Sequence, residues 1–236
     1  MSAGFWRGVS VASMAIVVLL FESALAAPRP RFASPEAAVH HFVEHLAADD
    51  IDGAMQAFQI DDIFAAFDAA ANVRSDHGAA LSDHRIMVGA AKISVTAKFA
   101  RDTRQFVYGL LLAAPEAYTL TTASDESVQR FIGDVDPARL QAVRIMRIDQ
   151  PAPSAMNSAE GVALAKSRAA RQGAEDSTER IALFQLDGMY YAAGFSLLKA
   201  GDTWRISDFE SVYAGIGDRD FPIRKTTLEA YAELIK

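Results

Sequence analysis

Asp187-Gly188 lies between two runs rich in β-branched and aromatic residues, 179–186 and 189–199. An Asp-Gly pair in that setting is the signal for a two-residue hairpin whose primed turn matches the twist of its strands. A two-residue loop also sets register, because side chains alternate between the faces of a strand. Leu186 then opposes Met189, Phe184 opposes Tyr191, Ala182 opposes Ala193 and Arg180 opposes Phe195. A third run, 203–213, follows the turn at Gly201-Asp202, with Lys199 expected opposite Trp204, Leu197 opposite Ile206, Phe195 opposite Asp208 and Ala193 opposite Glu210.

This register gathers Phe184, Leu186, Met189, Tyr191, Phe195, Leu197, Trp204, Ile206 and Val212 on one face, which is the expected core. Arg180, Asp208 and Glu210 are expected on the same side. The other face mixes Gln185, Tyr190, Ser196, Arg205, Ser207 and Ser211 with Ile181, Leu183 and Leu198. Such a face is at most half covered, and it offers a surface through which two copies of the chain could form a homodimer. An earlier run, 140–149, follows Pro137 and ends at Pro151 and Pro153, giving a sheet of about four strands.

The first half of the chain has a different period. No proline occurs between Pro35 and Pro115, and apolar residues recur at helical spacing. Ser34-Pro35-Glu36 supplies a capping hydroxyl, a proline at the first helical position and an acid in the first turn, ahead of a Val39, Phe42, Val43 and Leu46 stripe. Asp50 or Asp52 is expected to cap a second helix with Met55 and Phe58 inward, and Asp61 or Asp62 a third carrying Ile63, Phe64 and Phe67. The polar stretch 75–82 interrupts. Residues 83–112 favour helix, with a strand at Ile93-Ser94-Val95-Thr96 as the open alternative, and 126–132 suit a short helix. Asn157-Ser158-Ala159-Glu160 has capping-box spacing ahead of an Ala-rich helix to about Arg171, on which Lys166, Arg168 and Arg171 look solvated. Thr226-Thr227-Leu228-Glu229 opens a last helix with Leu228, Tyr231, Ala232 and Ile235 on one stripe.

Helices first and an antiparallel meander last define an α+β fold, with N-terminal helices packed on a curved sheet and a helix at the C-terminus. The expected organisation is a signal peptide at 1–27 and a single α+β domain at 28–236. Within it, 34–113 are the helical half, 139–214 the sheet half and 226–236 the last helix.

The signal segment rests on three features. Arg7 gives a positive start, residues 9–21 an apolar stretch, and Ala24-Leu25-Ala26-Ala27 small residues for cleavage. Thirteen residues in a helix reach about 20 Å, short of the roughly 30 Å hydrocarbon core, so a spanning anchor is disfavoured and the mature chain is expected to carry no membrane span. The expected location is periplasmic or secreted. The chain contains no cysteine, so neither a disulfide nor a lipid thioether is available and stability falls to core packing. The net charge of −7, unchanged once Arg7 and Glu22 leave with the signal segment, argues against a nucleic-acid partner.

Ser34-Pro35-Glu36-Ala37-Ala38-Val39 ahead of Phe42, the 49–58 stretch, and Phe195 followed by Trp204-Arg205-Ile206 and Asp208-Phe209-Glu210-Ser211 resemble secreted members of the nuclear transport factor 2-like superfamily. That superfamily includes ketosteroid isomerase and the SnoaL-like cyclases. The resemblance covers about half of the mature chain. It implies a cone in which helices cross a strongly curved sheet, with a pocket at the open end. It implies no chemistry, because the matching residues are packing residues.

Three constellations invite a chemical reading. Arg180, Tyr191, Phe195, Trp204, Asp208 and Glu210 share the core face, where inward charges must either pair or line a ligand pocket. His41-Phe42-Val43-Glu44-His45 spells the H-x-x-E-H of inverted zinc proteases. Helix phase places His41, Glu44 and His45 opposite the buried stripe, so no metal is expected and their replacement should be mild. His77 and His84 read as loop residues. Arg144, in phase with Leu140, Ala142, Met146 and Ile148, is either an inward charge or part of a solvated edge. No phosphate loop or nucleophile elbow occurs, and no cofactor is expected.

The clear features all serve folding. The expected function is therefore an exported, non-catalytic domain that binds a small apolar ligand in its cone or contacts another envelope protein. The alternative is an isomerase- or cyclase-like enzyme, which needs an enclosed pocket holding a carboxylate with no cationic partner.

Overall fold

The computed structural model describes residues 29–62, 91–111, 124–135, 137–217 and 222–236. The signal segment, Ile63, Phe64 and Phe67 of the expected third helix, the 75–82 stretch, His77, His84 and residues 83–90 and 112 lie outside the described residues.

Short oxygen-bearing side chains start the helices where the sequence places them. Ser34 accepts from Ala37 N and opens α1 (Pro35–Ala47), which buries Ala38, Val39, Phe42, Val43 and Leu46. Asp50 accepts from Gly53 N at the start of α2 (Ile51–Met55), and a 3-10 turn (Gln56–Phe58) buries Phe58. Ile93-Ser94-Val95-Thr96 is helical within α3 (Ala91–Leu111). The alternative of a strand there is settled against by the buried Val95, Phe99 and Phe106, spaced for one helical face. Next come α4 (Asp125–Asp134) and a 3-10 helix (Pro137–Ala142), which takes Leu140 and Ala142 out of the expected strand. β1 (Arg144–Asp149) therefore starts at Arg144. After α5 (Pro153–Met156), Ser158 caps α6 (Ala159–Arg171) through Gly161 N.

The sheet is antiparallel, in the order β1, β2 (Asp176–Leu186), β3 (Met189–Ala200) and β4 (Thr203–Asp208). A fifth strand absent from the sequence reading, β5 (Ile223–Thr226), pairs with Tyr190, Tyr191, Ala192 and Ala193 of β3. All four expected pairs of the β2–β3 hairpin form. Asp187 and Gly188 have φ of 51° and 75°, the positive values that a primed turn requires. Lys199 opposes Trp204 and Leu197 opposes Ile206 as expected, but the register then shifts and Asp208 meets Ser196 instead of Phe195. β4 ends there, so the expected pairing of Ala193 with Glu210 does not form. The chain crosses over Gly194 instead, where an added Cβ would lie 2.4 Å from Ser211 N.

Two cores result. The larger lies between the sheet and the N-terminal helices, built on Phe42, Phe58, Phe106, Phe184, Phe195 and their neighbours. The smaller joins Ile181, Leu183 and Ala192 of the opposite face to Ala214, Ile216 and Tyr231. Tyr231, on the terminal helix α7 (Leu228–Leu234), donates to Asp149 Oδ2 and Ile181 O. Burial first, and the Asp149 charge second, push its phenol well above the usual range.

Several expectations change with this second core. The outer face is more covered than expected: α6 lies along β2, and the 211–216 turn and α7 pack on Ile181, Leu183 and Ala192, which narrows the surface through which two copies could meet. Val212, expected inward, is 55% exposed because β4 has already ended. Leu228 is also exposed, leaving Tyr231 as the buried anchor of α7. Arg205, expected at an outer, wet position, is fully buried. Among the described residues no helix is long and apolar enough to cross a membrane.

Candidate functional site

The six residues expected in one pocket are found in three places. Tyr191 and Phe195 are core residues. The Tyr191 hydroxyl reaches only Met189 Sδ at 4.0 Å, and burial pushes its phenol upward. Phe195 belongs to a cluster with Phe42, Phe58, Phe99, Phe106, Phe184 and Phe209. Neighbouring ring centroids lie between 4.2 and 6.4 Å apart, in tilted, edge-on and stacked pairs. Such spacing leaves ring against ring, so among the described residues the concave face of the sheet is filled with side chains.

Arg180 and Trp204 meet instead at the surface, in an open cleft of about 310 Å³ between the start of α1 and the flank of α6. The Arg180 guanidinium donates to Glu36 Oε1, Thr178 Oγ1 and its neighbour's carbonyl, Glu179 O. Burial opposes ionisation of Glu36, but the hydrogen bond and charge of Arg180 prevail and hold that carboxyl below its usual range. Half-buried Trp204 is fixed by its backbone, which donates to Phe32 O at 2.9 Å. Val162 and Leu164 of α6 line the same cleft and are 48% and 40% exposed.

Asp208 and Glu210 line a second open cleft of about 380 Å³, with Ser196, Ser207 and Arg171. The register shift in β4 puts them there. Asp208 accepts from Lys98 Nζ at 3.3 Å, and Lys98 also reaches Asp102 Oδ2 at 2.9 Å. Burial works against the charge on Lys98, but Asp208 and Asp102 outweigh it and raise the ammonium above its usual value. Asp208 thus has a cationic partner. Ser196 Oγ donates to the Glu210 carbonyl at 3.2 Å, which ties the crossing segment to β3.

The two clefts share Arg168, Ser177, Thr178 and Glu179 beneath α6. Glu179, which the sequence reading passed over, is 2% exposed and accepts from Arg168 Nη1 at 2.8 Å, Ser211 Oγ at 2.8 Å and Tyr213 N at 3.1 Å. Arg168 is therefore no solvated helix charge; it closes a buried carboxylate site that joins α6, β2 and the 211–216 turn. A signal for it existed: Glu179 is in phase with outer Ile181 and Leu183, and a carboxylate in a covered row must find donors.

The H-x-x-E-H residues are absorbed by packing. His41 Nε2 bonds Gly53 O at 2.9 Å and His45 Nδ1 bonds Asp50 Oδ2 at 2.7 Å, with the two rings 4.2 Å apart, while Glu44 is exposed. Both imidazoles thus tie α1 to the start of α2, and they are half-buried where solvated positions were expected. Among the described residues no group of three metal-ligating side chains occurs. Arg144 is exposed, its Nη1 donating to Gln141 O and Val143 O, which makes it an edge residue.

No known protein family matches the chain, and no curated protein does. The fold is similar to the crystal structure of a cystatin-like protein from Ruminococcus gnavus, with a TM-score of 0.57 and 14% identity over 89% of this chain and 45% of that one. This chain spans less than half the length of that protein. At such identity the likeness establishes a cystatin-like α+β fold and nothing of the chemistry.

Proposed function

We propose that the chain is an exported, non-catalytic domain that acts by contacting another envelope protein through the cleft beside α6. The observation that carries this reading is the ring cluster around Phe195, which occupies the place where a cone-shaped relative would hold a ligand. The acids around the two clefts support the same reading: Glu36 holds Arg180, Glu179 holds Arg168, and Asp208 and Asp102 share Lys98. A general base needs an uncommitted carboxylate within reach of substrate, and each of these is hydrogen-bonded to a cation. The cleft offers an aromatic indole beside exposed Val162 and Leu164, with charged groups at its rim, the mixture common at protein interfaces. Export rests on the basic start, apolar stretch and small-residue site of residues 7–27.

Photo-reactive amino acids placed at Trp204 and Val162, in cells exporting the protein, test this reading. One discrete envelope protein should crosslink from both positions and not from Ile51, an equally exposed apolar position on α2. Equal crosslinking from all three positions, or none from the cleft, would refute it, as would an intact Met1 on the mature protein.

A further inference from the structure

The most deeply buried cation among the described residues makes no side-chain hydrogen bond. Arg205 stands in β4 opposite Leu198 and is 0% exposed, yet Nε, Nη1 and Nη2 make no hydrogen bond. Less buried arginines find carboxylates: Arg180 pairs with Glu36, Arg168 with Glu179, and the surface Arg31 with Asp202. A guanidinium does not escape burial by losing its proton, so five donors without acceptors are a standing cost of several kcal/mol.

Thr203, two residues back in the strand, accepts from both Phe32 N and Gln59 Nε2. Asp62 acts on Arg205 through space without a hydrogen bond, opposing the burial that weakens the guanidinium's hold on its proton.

We propose that Arg205 anchors a buried site for an organic monocarboxylate, held between β4 and the segment Gln59 to Asp62. The planar fork of a guanidinium fits a carboxylate through two parallel hydrogen bonds. Asp62 already supplies one negative charge, so a second singly charged anion strains the site less than a phosphate dianion. Leu198 across the ladder, 2% exposed, gives the ligand an apolar neighbour. The guanidinium nitrogens are closed to water, so the site must open locally to load. This site is separate from the cleft beside α6 and does not depend on the partner reading.

Thermal unfolding of the full chain with benzoate, acetate, phosphate or chloride at matched ionic strength tests it. Benzoate should raise the melting temperature saturably, acetate less so, and phosphate no more than chloride. Arg205→Met should abolish the benzoate effect while leaving the unliganded protein at least as stable, since it replaces a buried guanidinium that makes no hydrogen bond with an apolar side chain of similar length. Should that variant fail to fold, the assignment fails with it, because the arginine would then be making contacts that the site excludes. Arg205→Lys keeps the charge but loses the fork and should bind benzoate at least tenfold more weakly. Equal stabilisation of all three proteins by benzoate, no stabilisation of the parent by any carboxylate, or an Arg205-dependent response to phosphate alone would each overturn the proposal.

Discussion

Glu179→Ala should be among the most damaging single changes to this fold outside the apolar core. The carboxylate is 2% exposed and accepts three hydrogen bonds, from Arg168, Ser211 and Tyr213. Removing one member of a buried pair costs about 3–5 kcal/mol, and each buried donor left unsatisfied about 1–3 kcal/mol. Arg168 keeps a 29% exposed side chain and can turn to water, which discounts the first figure. Because Ser211 is 1% exposed and has no such escape, a net loss of about 2–4 kcal/mol is expected. Glu179→Gln retains an acceptor and should lose about half as much. Urea titration of both variants, of Arg168→Ala and of the double variant measures the costs and the coupling, which should reach about 1–2 kcal/mol. A Glu179→Ala loss under about 1 kcal/mol with additive single costs would refute the reasoning, leaving α6 held to the sheet by something other than this cluster.

Phe195→Ala should cost about 3–5 kcal/mol in the same titration, since its ring touches Phe42, Phe106 and Phe209, and a loss near zero would contradict a filled interior. Acid should weaken the α1–α2 junction through His41. Burial lowers the pKa of that imidazole from 6.5, aided by His45 and opposed by the Gly53 carbonyl, Glu44 and Asp50. The unfolded chain takes up the proton first, so the stability that neutral His41 contributes is present above pH 6.5 and is lost as pH falls through its lower folded value. His41→Gln, which retains a donor for Gly53 O, should lose less stability than the parent between pH 7.5 and 5.5; equal losses would reject the assignment.

The sheet was readable where one local device sets many contacts. The Asp187-Gly188 turn carries eleven facing pairs with it, from Leu186–Met189 to Asp176–Lys199. Ser34, Asp50, Ser158 and Thr227 likewise each bond a backbone amide three residues on, a signal contained within four residues. What stayed hidden depends on distant chain. The shift that ends β4 comes with the crossing of the Ser211 backbone over Gly194. That displacement takes Asp208 and Glu210 away from Phe195, whereas Arg180 and Trp204 keep their register and reach the surface cleft beside α6. Glu179 and Arg168 sit eleven residues apart on different elements, so neither looks special until α6 folds over β2. Arg205 alternates correctly with Trp204 and Ile206, yet alternation reveals which face a residue takes and not whether that face is wet. The seven contacting phenylalanines come from helices, strands and the β4 exit, and no spacing in the chain reveals that they meet.

A filled interior with function at the surface is tested most directly by titrating the purified protein with an environment-sensitive apolar fluorophore, with Phe195→Ala and Trp204→Ala in parallel. The account predicts no saturable one-to-one uptake by the parent or by Trp204→Ala, and new uptake in Phe195→Ala if that variant stays folded with a cavity where the ring stood. Stoichiometric, saturable binding to the parent, weakened by Phe195→Ala and indifferent to Trp204→Ala, would place a ligand pocket among the rings around Phe195 and contradict a filled interior.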